Sequence, residues 1–394
     1  MDYTNQNILF ISSWYPSRIL PTDGNFNEKF AEASALFNNV SAIHVIGDSG
    51  ITAPYEIDQF IKANVKTQIW YFRKKTGSSV YSKIINGYRY LKYYFKAFKR
   101  HKKISGKPDI IHLNVLFPAG LIVLLLKLFY NVKYVISEHW TGYLPSNEIK
   151  RSALVKWASK RIAKNASTIM PVTENLKEAM LCKGLKNKYI VVPNVVDIKY
   201  FFPIENRKKS EKKVILHVSS LKDDHKNVSG ILRVINELKK IRNDFELKIV
   251  GDGDLEPHIK YAEKLSLDSE TVKFYGTMTT QEIAEVMQLS DIFLLFSNYE
   301  NLPCVIIEAF AAGIPVISTD VGGIREHLTI DKGILIEPKD EKTLIESLNK
   351  TLDNLDYYNK QELHRYAANN FSYEKIGKSF TEIYSSVIKN QRIV

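Results

Sequence analysis

Short apolar segments alternate with longer amphipathic segments along the whole chain. Six apolar segments in the first half are predicted strands, at Ile8–Ser12, Ala42–Ile46, Ile110–Leu113, Tyr134–Ser137, Thr168–Met170 and Ile190–Val192. Six more follow, at Val214–Val218, Leu247–Val250, Val272–Tyr275, Ile292–Leu295, Pro315–Ser318 and Ile334–Ile336. Between many of them, stretches such as Val228–Ile241 and Gln281–Leu289 have apolar residues at helical spacing. This alternation predicts an α/β protein with two doubly wound, Rossmann-like domains built on parallel sheets.

The break between the two series lies near 196–213, where an apolar strand gives way to Pro203 and a run of charged residues. A chain of 394 residues also exceeds what one hydrophobic core usually organises. We therefore predict domains at 1–198 and 204–372, and a helix at 373–394 that packs back on the first domain. Ligands bind outside the carboxyl ends of the strands in such sheets, so we expect the active site in the cleft between the domains.

Three features bear on the cellular compartment. The most apolar run, Leu116–Tyr130, is shorter than the roughly 20 residues that span a bilayer and contains Pro118, so it predicts a buried helix. The polar stretch Thr4–Asn7 does not fit a secretory signal. The two cysteines, Cys182 and Cys304, lie far apart, which is typical of a reducing compartment rather than of a disulfide scaffold or a zinc site. We expect a cytoplasmic protein.

Charge is distributed unequally between the two halves. Residues 1–200 carry 29 basic and 13 acidic side chains, a net charge of +16, whereas the remainder carry 26 and 30, a net charge of −4. Basic and aromatic residues alternate between Tyr81 and Lys107 with no acidic residue. This stretch fits an anionic membrane surface, or a solvated helix whose aromatic side faces the core. No helix-turn-helix, RNP or zinc-finger pattern accompanies it, so we expect no nucleic acid partner.

The richest candidate chemistry lies in 297–309, directly after a predicted strand. Pro303 suits the first turn of a helix, which leaves Glu300 in the preceding loop and Glu308 inside the helix. The amides of Asn301 and Leu302 would then be free at the helix start, where sugar hydroxyls or phosphate oxygens bind. Two carboxylates accept hydrogen bonds from hydroxyl pairs such as those of a ribose. The pattern alone also allows a capping acid and a solvated helix residue.

Several motifs in this order and spacing resemble glycosyltransferase family 4 over nearly the whole chain. The E-x7-E spacing of Glu300 and Glu308 is followed by 309–317, a stretch similar to the "G-x-P-V" turn of that family, with Gly313 and Pro315 at its key positions. Further matching pieces are Ser13–Pro16, Gly24–Phe26, Glu138–His139, Val192–Asp197, Val218–Leu221, Lys226–Asn227 and Gly322–Gly323. The resemblance implies the GT-B fold, two Rossmann-like domains that face a central cleft, and retaining transfer without a protein nucleophile.

The resemblance also implies a role for individual residues. Glu308 would bind the donor ribose, Glu300 and the Asn301 and Leu302 amides would hold the transferred sugar, and Lys226 would contact the diphosphate. Glu300, Lys226 and His139 would form the catalytic group, with His139 near the reacting face of the sugar. The remaining predicted donor-binding positions are Gly24, Asn25, Ser220, Gly276 and Pro303. Of these, Gly24 would admit the phosphates and Gly276 would lie near the base.

One position departs from the family pattern, since Ser220 stands where an arginine is usual. Compensation by His225, Arg18 or another cation is one outcome, and weaker diphosphate binding is the other. The stretch Gly251–Gly253 fails the dinucleotide pattern because Glu256 occupies the third glycine position. It also overlaps a D-x-D, Asp252 and Asp254, which metal-dependent transferases use on a different fold, so we expect no metal and no cofactor.

The predicted function is transfer of a hexose-type sugar from a UDP- or GDP-linked donor to a glycan or lipid-linked acceptor, in bacterial surface polysaccharide synthesis. The first domain would bind the acceptor and the second the donor. The basic stretch 81–107 suggests peripheral contact with the inner membrane leaflet. Two alternatives remain open from the sequence: a nucleotide-sugar epimerase, and a non-catalytic subunit that binds a sugar nucleotide.

Overall fold

The computed structural model describes residues 5–205 and 211–389. The chain forms two parallel sheets, each flanked by helices, which confirms the predicted pair of Rossmann-like domains. Part of the predicted boundary, 206–210, and the end of the predicted last helix, 390–394, lie outside the described residues, as do 1–4. We call the half built on the first sheet the N-domain and the half built on the second sheet the C-domain.

The N-domain sheet has seven strands in the order β3-β4-β2-β1-β5-β6-β7. Its strands are β1 (Asn7–Ser12), β2 (Asn39–Asp48), β3 (Tyr55–Lys62), β4 (Val65–Arg73), β5 (Ile110–Asn114), β6 (Lys133–Glu138) and β7 (Ile169–Pro171). Its helices are α1 (Asn25–Ser34), α2 (Val80–Ser105), α3 (Gly120–Tyr130), α4 (Ala153–Asn165) and α5 (Glu174–Cys182). The central strands are buried along almost their whole length, which explains their continuous apolar sequence.

Two strand predictions need correction. Strands β3 and β4 form an antiparallel hairpin at the edge of the sheet, and neither was predicted from the sequence. Because β3 is largely exposed and its apolar residues are interrupted by Glu56, Asp58 and Gln59, it lacks the apolar run of a central strand, whereas β4 does contain such a run at 69–72. Conversely, Ile190–Val192 is not a strand, although the amides of Ile190 and Val192 donate to the carbonyls of Ile169 and Pro171. These bonds pair the segment only loosely with β7.

The C-domain sheet has six parallel strands in the order β10-β9-β8-β11-β12-β13. Its strands are β8 (Lys213–Ser219), β9 (Phe245–Gly251), β10 (Val272–Tyr275), β11 (Ile292–Leu295), β12 (Val316–Thr319) and β13 (Gly333–Ile336). The helices that follow residue 213 are α6 (Asp223–Lys226), α7 (Val228–Lys239), α8 (Glu256–Lys264), α9 (Thr280–Gln288), α10 (Cys304–Ala311), α11 (Glu341–Asp353), α12 (Lys360–Phe371) and α13 (Tyr373–Ile388). Helix α9 begins with a capping box between Thr279 and Glu282, which satisfies two donors at its start.

Two N-domain helices differ in part from their predictions. Helix α3 begins at Gly120 rather than Leu116, and only its inner side is buried, since Leu128 and Phe129 are about 70% exposed (69% and 71%). Helix α2 divides its aromatic residues between two faces. Tyr93, Tyr94 and Phe98 pack in the core, whereas Val80, Tyr81, Ile84 and Tyr88 are exposed beside the lysines. The aromatic residues of one face thus pack in the core, and contact of the other face with a membrane stays a prediction.

The chain crosses between the domains twice, at adjacent places. Val196 and Ser372 form an isolated parallel bridge, and the Val196 amide donates to the carbonyl of Phe371. After the second crossing, α13 packs on α1 of the N-domain. The Tyr384 hydroxyl lies 2.6 Å from Nδ1 of His112, and the Asn38 amide donates to Thr381 at 2.8 Å. Among the described residues, no helix combines the length and apolar character needed to cross a bilayer.

Candidate active site

The C-domain sheet reverses its strand order between β8 and β11, which pair directly. In open α/β sheets, ligands bind at the carboxyl ends of the strands at such a point. The loop after β8 carries α6, and the loop after β11 leads into α10. The two loops are joined because Asn298 donates through its backbone amide to the His225 carbonyl at 2.8 Å and through its side chain to the Asp224 carbonyl at 3.0 Å. This pairing brings the predicted lysine and glutamate together.

Glu300 and Lys226 form a buried ion pair at this point, in which the Lys226 ammonium donates to Oε1 of Glu300. Nε2 of His225 lies 3.5 Å from the same oxygen, and the His225 ring stacks on Tyr299 at 4.1 Å. Burial alone would raise the pKa of the Glu300 carboxyl, but Lys226 and His225 outweigh it and lower the pKa to about 2. Glu300 is therefore ionised at neutral pH and can only accept hydrogen bonds.

The segment after Glu300 presents free donors to the same space. The backbone amides of Asn301 and Leu302 have no hydrogen-bond partner within 5–205 and 211–389. Pro303 is the N-cap of α10, one position earlier than its predicted place in the first turn, and caps nothing with its side chain. Because a Cβ on Gly322 would lie 2.1 Å from the Glu300 carbonyl oxygen, only glycine lets its loop lie against this segment. Free amides beside a fixed carboxylate suit a polyhydroxylated or anionic ligand.

Hydrogen bonds also connect this segment to the N-domain. The side-chain amide of Asn301 donates to the His139 carbonyl at 3.1 Å, and Asn301 Oδ1 accepts from the Thr173 hydroxyl at 2.8 Å. The Asn194 amide donates to the Leu302 carbonyl at 2.6 Å. These three bonds are buried, so each is protected from competition by water. The loop after β11 is thus positioned by both domains.

Glu308 lies on α10 with only 7% of its side chain exposed, and its partner comes from the other domain. Lys29 of α1 donates to Oε1 of Glu308 at 2.7 Å. Burial alone would lower the pKa of Lys29, but the Glu308 carboxylate outweighs it and raises the pKa above its usual value. Burial also raises the pKa of the neighbouring Cys304 thiol to about 12, so this cysteine is neutral. The predicted ribose-binding carboxylate is thus held by a lysine across the domain boundary.

His139 closes the N-domain side of the site, directly after β6. Its ring packs against Phe26 at 4.3 Å and Phe30 at 5.0 Å between centroids. The Glu138 carboxylate accepts hydrogen bonds at 3.0 Å from the amides of His139 and Trp140, which fixes the turn that presents the ring. The histidine is therefore held rigidly by its own neighbours.

The electrostatic state of His139 follows from its burial. Burial lowers the pKa of the imidazole to about 3, and the nearby Asn194 side chain offsets only part of this effect. Neither ring nitrogen has a hydrogen-bond partner of normal geometry in the part of the chain that the structure describes. A neutral ring of this kind can donate one hydrogen bond and accept another, but it carries no positive charge at neutral pH.

The other predicted donor-binding residues lie next to the ends of strands and helices in both domains. Gly24 is the N-cap of α1 with φ 68°, and a Cβ there would lie 2.4 Å from the Trp14 carbonyl carbon. The backbone conformation at position 24 and its contact with Trp14 therefore require glycine. Asn25 begins α1 and is exposed, Ser220 follows β8, and Gly276 follows the edge strand β10 with open space around it.

The remaining sequence candidates have structural explanations. Arg18 binds Asp48 at 3.0 Å and Glu56 at 2.7 Å. Of the two named cations that could compensate for the arginine replaced by Ser220, His225 is therefore the one that lies beside Glu300. Gly251 and Gly253 lie where a Cβ would meet the carbonyl oxygens of Ser219 and Ser220 at 2.2 and 2.4 Å. Within the described ranges, no three His, Cys, Asp or Glu side chains are grouped as a metal site.

Comparison with known families and structures identifies the class of protein. The sequence model described as "Glycosyltransferase Family 4" matches residues 62–200, and the one described as "Glycosyl transferases group 1" matches residues 199–370. The chain belongs to glycosyltransferase family 4. A putative teichuronic acid biosynthesis glycosyltransferase of Bacillus subtilis is 23% identical to this transferase over 87% of the chain and 88% of the relative.

Solved structures share the fold along the entire transferase. Sucrose-phosphate synthase from Thermosynechococcus elongatus superposes with a TM-score of 0.77 at 19% identity, over 98% of this chain and 100% of that one. Anabaena HepE in complex with UDP and glucose superposes with a TM-score of 0.72 at 16% identity, over 97% and 100%. These likenesses establish the two-domain GT-B architecture predicted from the sequence.

Sequence reasoning missed the residues that connect the domains. Lys29, Thr173 and Asn194 each bind a residue of the 300–308 segment, yet none of the three was a candidate site residue. The signal that was present is weak: Lys29 follows the glycine motif at 24–26 by one turn of helix, and Asn194 lies in Val192–Asp197. Their partners become visible only once the two sheets are brought face to face.

Proposed function

We propose that this glycosyltransferase moves a hexose-type sugar from a UDP- or GDP-linked donor to a glycan or lipid-linked acceptor, with retention of anomeric configuration. Surface polysaccharide synthesis is the proposed context, supported by the likeness to a teichuronic acid transferase. The observation that carries the proposal is the pair of free amides at Asn301 and Leu302 beside the buried Glu300–Lys226 pair. A sugar diphosphate offers hydroxyls to the carboxylate and anionic oxygens to the amides and the ammonium.

The residues of the C-domain would bind the donor. Glu300 would accept from the sugar hydroxyls, and Glu308 from the ribose hydroxyls, with Ser220 and Gly276 lining the nucleotide. As the glycosidic bond breaks, negative charge accumulates on the departing diphosphate. Lys226 and the open N-terminus of α10 are fixed cationic and dipolar groups that would meet this charge, which lowers the barrier most when the groups need no rearrangement. The proposal includes no metal ion, so chelation by EDTA should leave the rate unchanged.

The N-domain would bind the acceptor and close over the donor. Gly24 and Asn25 at the start of α1 would face the phosphates, and His139 would face the sugar near its reacting carbon. Because the imidazole is neutral, we assign it a hydrogen-bonding role rather than that of an acid. With no protein nucleophile assigned, the departing phosphate would accept the acceptor proton on the same face from which it leaves, which gives retention.

The exposed face of α2 supports peripheral contact with an anionic membrane. Its first three turns expose Val80, Tyr81, Ile84 and Tyr88, and Lys83 and Lys92 flank them. Apolar and aromatic side chains enter the interfacial region of a bilayer while lysines bind anionic headgroups. The proposed location is therefore the inner leaflet of the cytoplasmic membrane, where a lipid-linked acceptor is accessible.

A panel of nucleotides and nucleotide sugars tests the donor site. Each ligand that binds only the folded protein raises the melting temperature as its concentration exceeds its dissociation constant. We expect selective stabilisation by UDP or GDP and one of its sugars, lost in Glu308→Gln and kept in Glu341→Gln, whose carboxylate pairs with Arg233 on the C-domain surface. No stabilisation by any nucleotide would refute the donor site.

Turnover distinguishes the remaining classes of activity. With the selected donor and a lipid-linked acceptor, a transferase releases the nucleotide diphosphate and labels the lipid phase. An epimerase instead isomerises the donor without any acceptor, and a non-catalytic subunit binds the donor without turnover. The anomeric configuration of the product, read from its NMR coupling constants, tests retention.

A further inference from the structure

A second cavity, of about 230 Å³, lies in the N-domain outside the proposed donor site. The loop 140–151, the first turns of α4 and the end of α5 surround it. Four basic residues and one acidic residue line it, namely Arg151, Lys156, Lys160, Lys183 and Glu148. Glu148 pairs with Lys183 at 2.7 Å. Among the described residues, Arg151, Lys156 and Lys160 have no carboxylate within 4.0 Å, so the cavity, here called the Arg151 pocket, has a net positive charge.

Arg151 is held in place with no carboxylate within 4.0 Å among the described residues, although it lies close enough to the buried Glu138 to offset part of the burial that raises the pKa of that carboxyl. Its guanidinium lies 3.8 Å from the centroid of the Trp140 ring and donates to the Tyr143 hydroxyl at 3.3 Å. Stacking on an aromatic face fixes the plane of the guanidinium, which leaves its donors directed and only partly used. A half-buried cation with no carboxylate in direct contact is stabilised further by a ligand that brings an anion to it. The geometry therefore suits a phosphate, which arginine binds through two parallel hydrogen bonds.

Exposed apolar residues on the loop and helix that line the pocket favour one source of that phosphate. Ile149, Leu154 and Trp157 are 49%, 72% and 59% exposed, and they lie on the loop and the helix that carry the cations. A soluble sugar phosphate has no apolar part to cover these side chains. A lipid phosphate has one, because its chain leaves the headgroup directly into the bilayer.

We propose that the Arg151 pocket binds the diphosphate of a lipid-linked acceptor, with Leu154 and Trp157 at the membrane interface. Its volume lies below the roughly 300–1,000 Å³ of pockets that enclose a whole small-molecule ligand, so it receives one group of a larger molecule. The inference rests on the proposed transferase function and names the acceptor class. Trp140 lines the pocket and directly follows His139, whose carbonyl accepts a hydrogen bond from Asn301 of the donor site. A saccharide on the diphosphate would therefore extend from the pocket toward the donor.

Vesicle binding by the full chain tests the pocket without requiring turnover. Phosphatidylcholine vesicles that carry polyprenyl diphosphate are compared with vesicles that carry phosphatidylglycerol, which report general charge attraction. We expect Arg151→Met to weaken binding to the diphosphate vesicles about tenfold and to leave binding to phosphatidylglycerol vesicles nearly unchanged. The double variant Lys156→Met/Lys160→Met should act similarly, and because both side chains are exposed it does not depend on how Arg151 supports the fold. Lys164→Met, an exposed lysine of α4 outside the pocket, is the control.

Further measurements distinguish a lipid ligand from a soluble phosphate, and the pocket from the donor site. Trp157→Ala should weaken vesicle binding while leaving the affinity for soluble inorganic diphosphate unchanged, which assigns the ligand to a lipid. Wild-type-like binding of the diphosphate vesicles by the pocket variants overturns the proposal, and so does competition by glucose 1-phosphate as tight as the lipid itself. Stabilisation by the donor nucleotide should persist in Arg151→Met. Its absence from the wild type would refute the donor site and leave the result on the pocket intact.

Discussion

The C-domain holds its candidate site charges as buried pairs, whereas the N-domain carries exposed lysines and arginines with few acids near them. Lys226 faces Glu300 at the β8–β11 switch point, while α2 presents Lys83 and Lys92 to solvent. A buried pair is costly to dissociate but is already oriented for a charge that develops in a reaction. Exposed cations attract an anionic surface without defining its geometry. The comparison is consistent with our proposal that the C-domain binds the reacting donor and the N-domain a surface and an acceptor.

The largest expected effect tests the C-domain side of this comparison. Glu300→Gln removes the charge that orients Lys226 and that, in our proposal, accepts hydrogen bonds from the sugar, so we expect kcat/KM to fall about 10²–10³-fold. Steady-state release of the nucleotide diphosphate measures it. Glu341→Gln, at the partly exposed pair with Arg233, should stay within about twofold. Equal losses in the two variants would mean that burial of the pair does not matter.

The next effect concerns Lys29, an N-domain cation that lies in a largely buried pair with Glu308. Lys29→Met leaves Glu308 buried without a cation, so we expect the free energy of unfolding to fall by about 3 kcal/mol. Urea unfolding measures it. Lys62→Met is a matched control, because Lys62 binds Glu28 and Glu32 but is 56% exposed, and should cost less than about 1 kcal/mol. A similar loss in both would break the distinction between buried and exposed pairs.

Acid should destabilise the N-domain more than the C-domain. Burial is the first cause of a lowered histidine pKa at four N-domain positions and two C-domain positions, namely His44, His101, His112 and His139, and His217 and His327. An unfolded histidine binds a proton below about pH 6.5 and these folded ones do not, so stability is present above pH 6.5 and falls as the pH falls toward 4. At pH 5.5 each such histidine lowers the free energy of unfolding by about 1.4 kcal/mol, so the N-domain, with two more of them, should lose about 3 kcal/mol more than the C-domain.

The tryptophans make this difference measurable. Trp14, Trp70, Trp140 and Trp157 all lie in the N-domain, so tryptophan fluorescence follows its unfolding alone while circular dichroism follows both domains. When the pH is lowered from 7.5 to 5.5, we expect the midpoint of the fluorescence transition to move to a lower urea concentration. The part of the circular dichroism change that is left, which reports the C-domain, should have a midpoint that moves less. Parallel shifts would contradict the unequal distribution of buried histidines.

The smallest effect lies on the exposed face of α2. Lys83→Gln should change the free energy of unfolding by less than about 0.5 kcal/mol, because its side chain is exposed. Binding to anionic vesicles should weaken by about 1 kcal/mol, roughly fivefold, and the difference should shrink at high salt. Lys239→Gln, on the C-domain surface beside Asp268, should leave vesicle binding unchanged. An equal effect of the two lysines would remove the assignment of α2 to a membrane.

Prediction from the sequence succeeded where one segment determines its own structure. The buried runs at β1 and β11 are strands because their apolar residues allow little else, and the family resemblance, not the alternation alone, brought out Glu300 and Lys226. The sequence could not assign partners across the cleft. Lys29 has an ordinary place on an amphipathic helix, and only the facing of two sheets reveals that it holds Glu308. The hairpin β3–β4 was missed since its outer strand lies at an exposed edge and needs no apolar face.

The path of α13 has a consequence for biosynthesis. This helix covers α1 and binds His112 in the N-domain, yet about 160 residues of C-domain are translated before it. At the usual 5–20 residues per second, the ribosome needs about 10–30 s to make that stretch. During this interval Phe30 and its neighbours lack the aromatic cover that Phe380 provides. The half of the molecule that is made first is therefore completed last, and a nascent chain stalled before residue 373 should engage chaperones at α1.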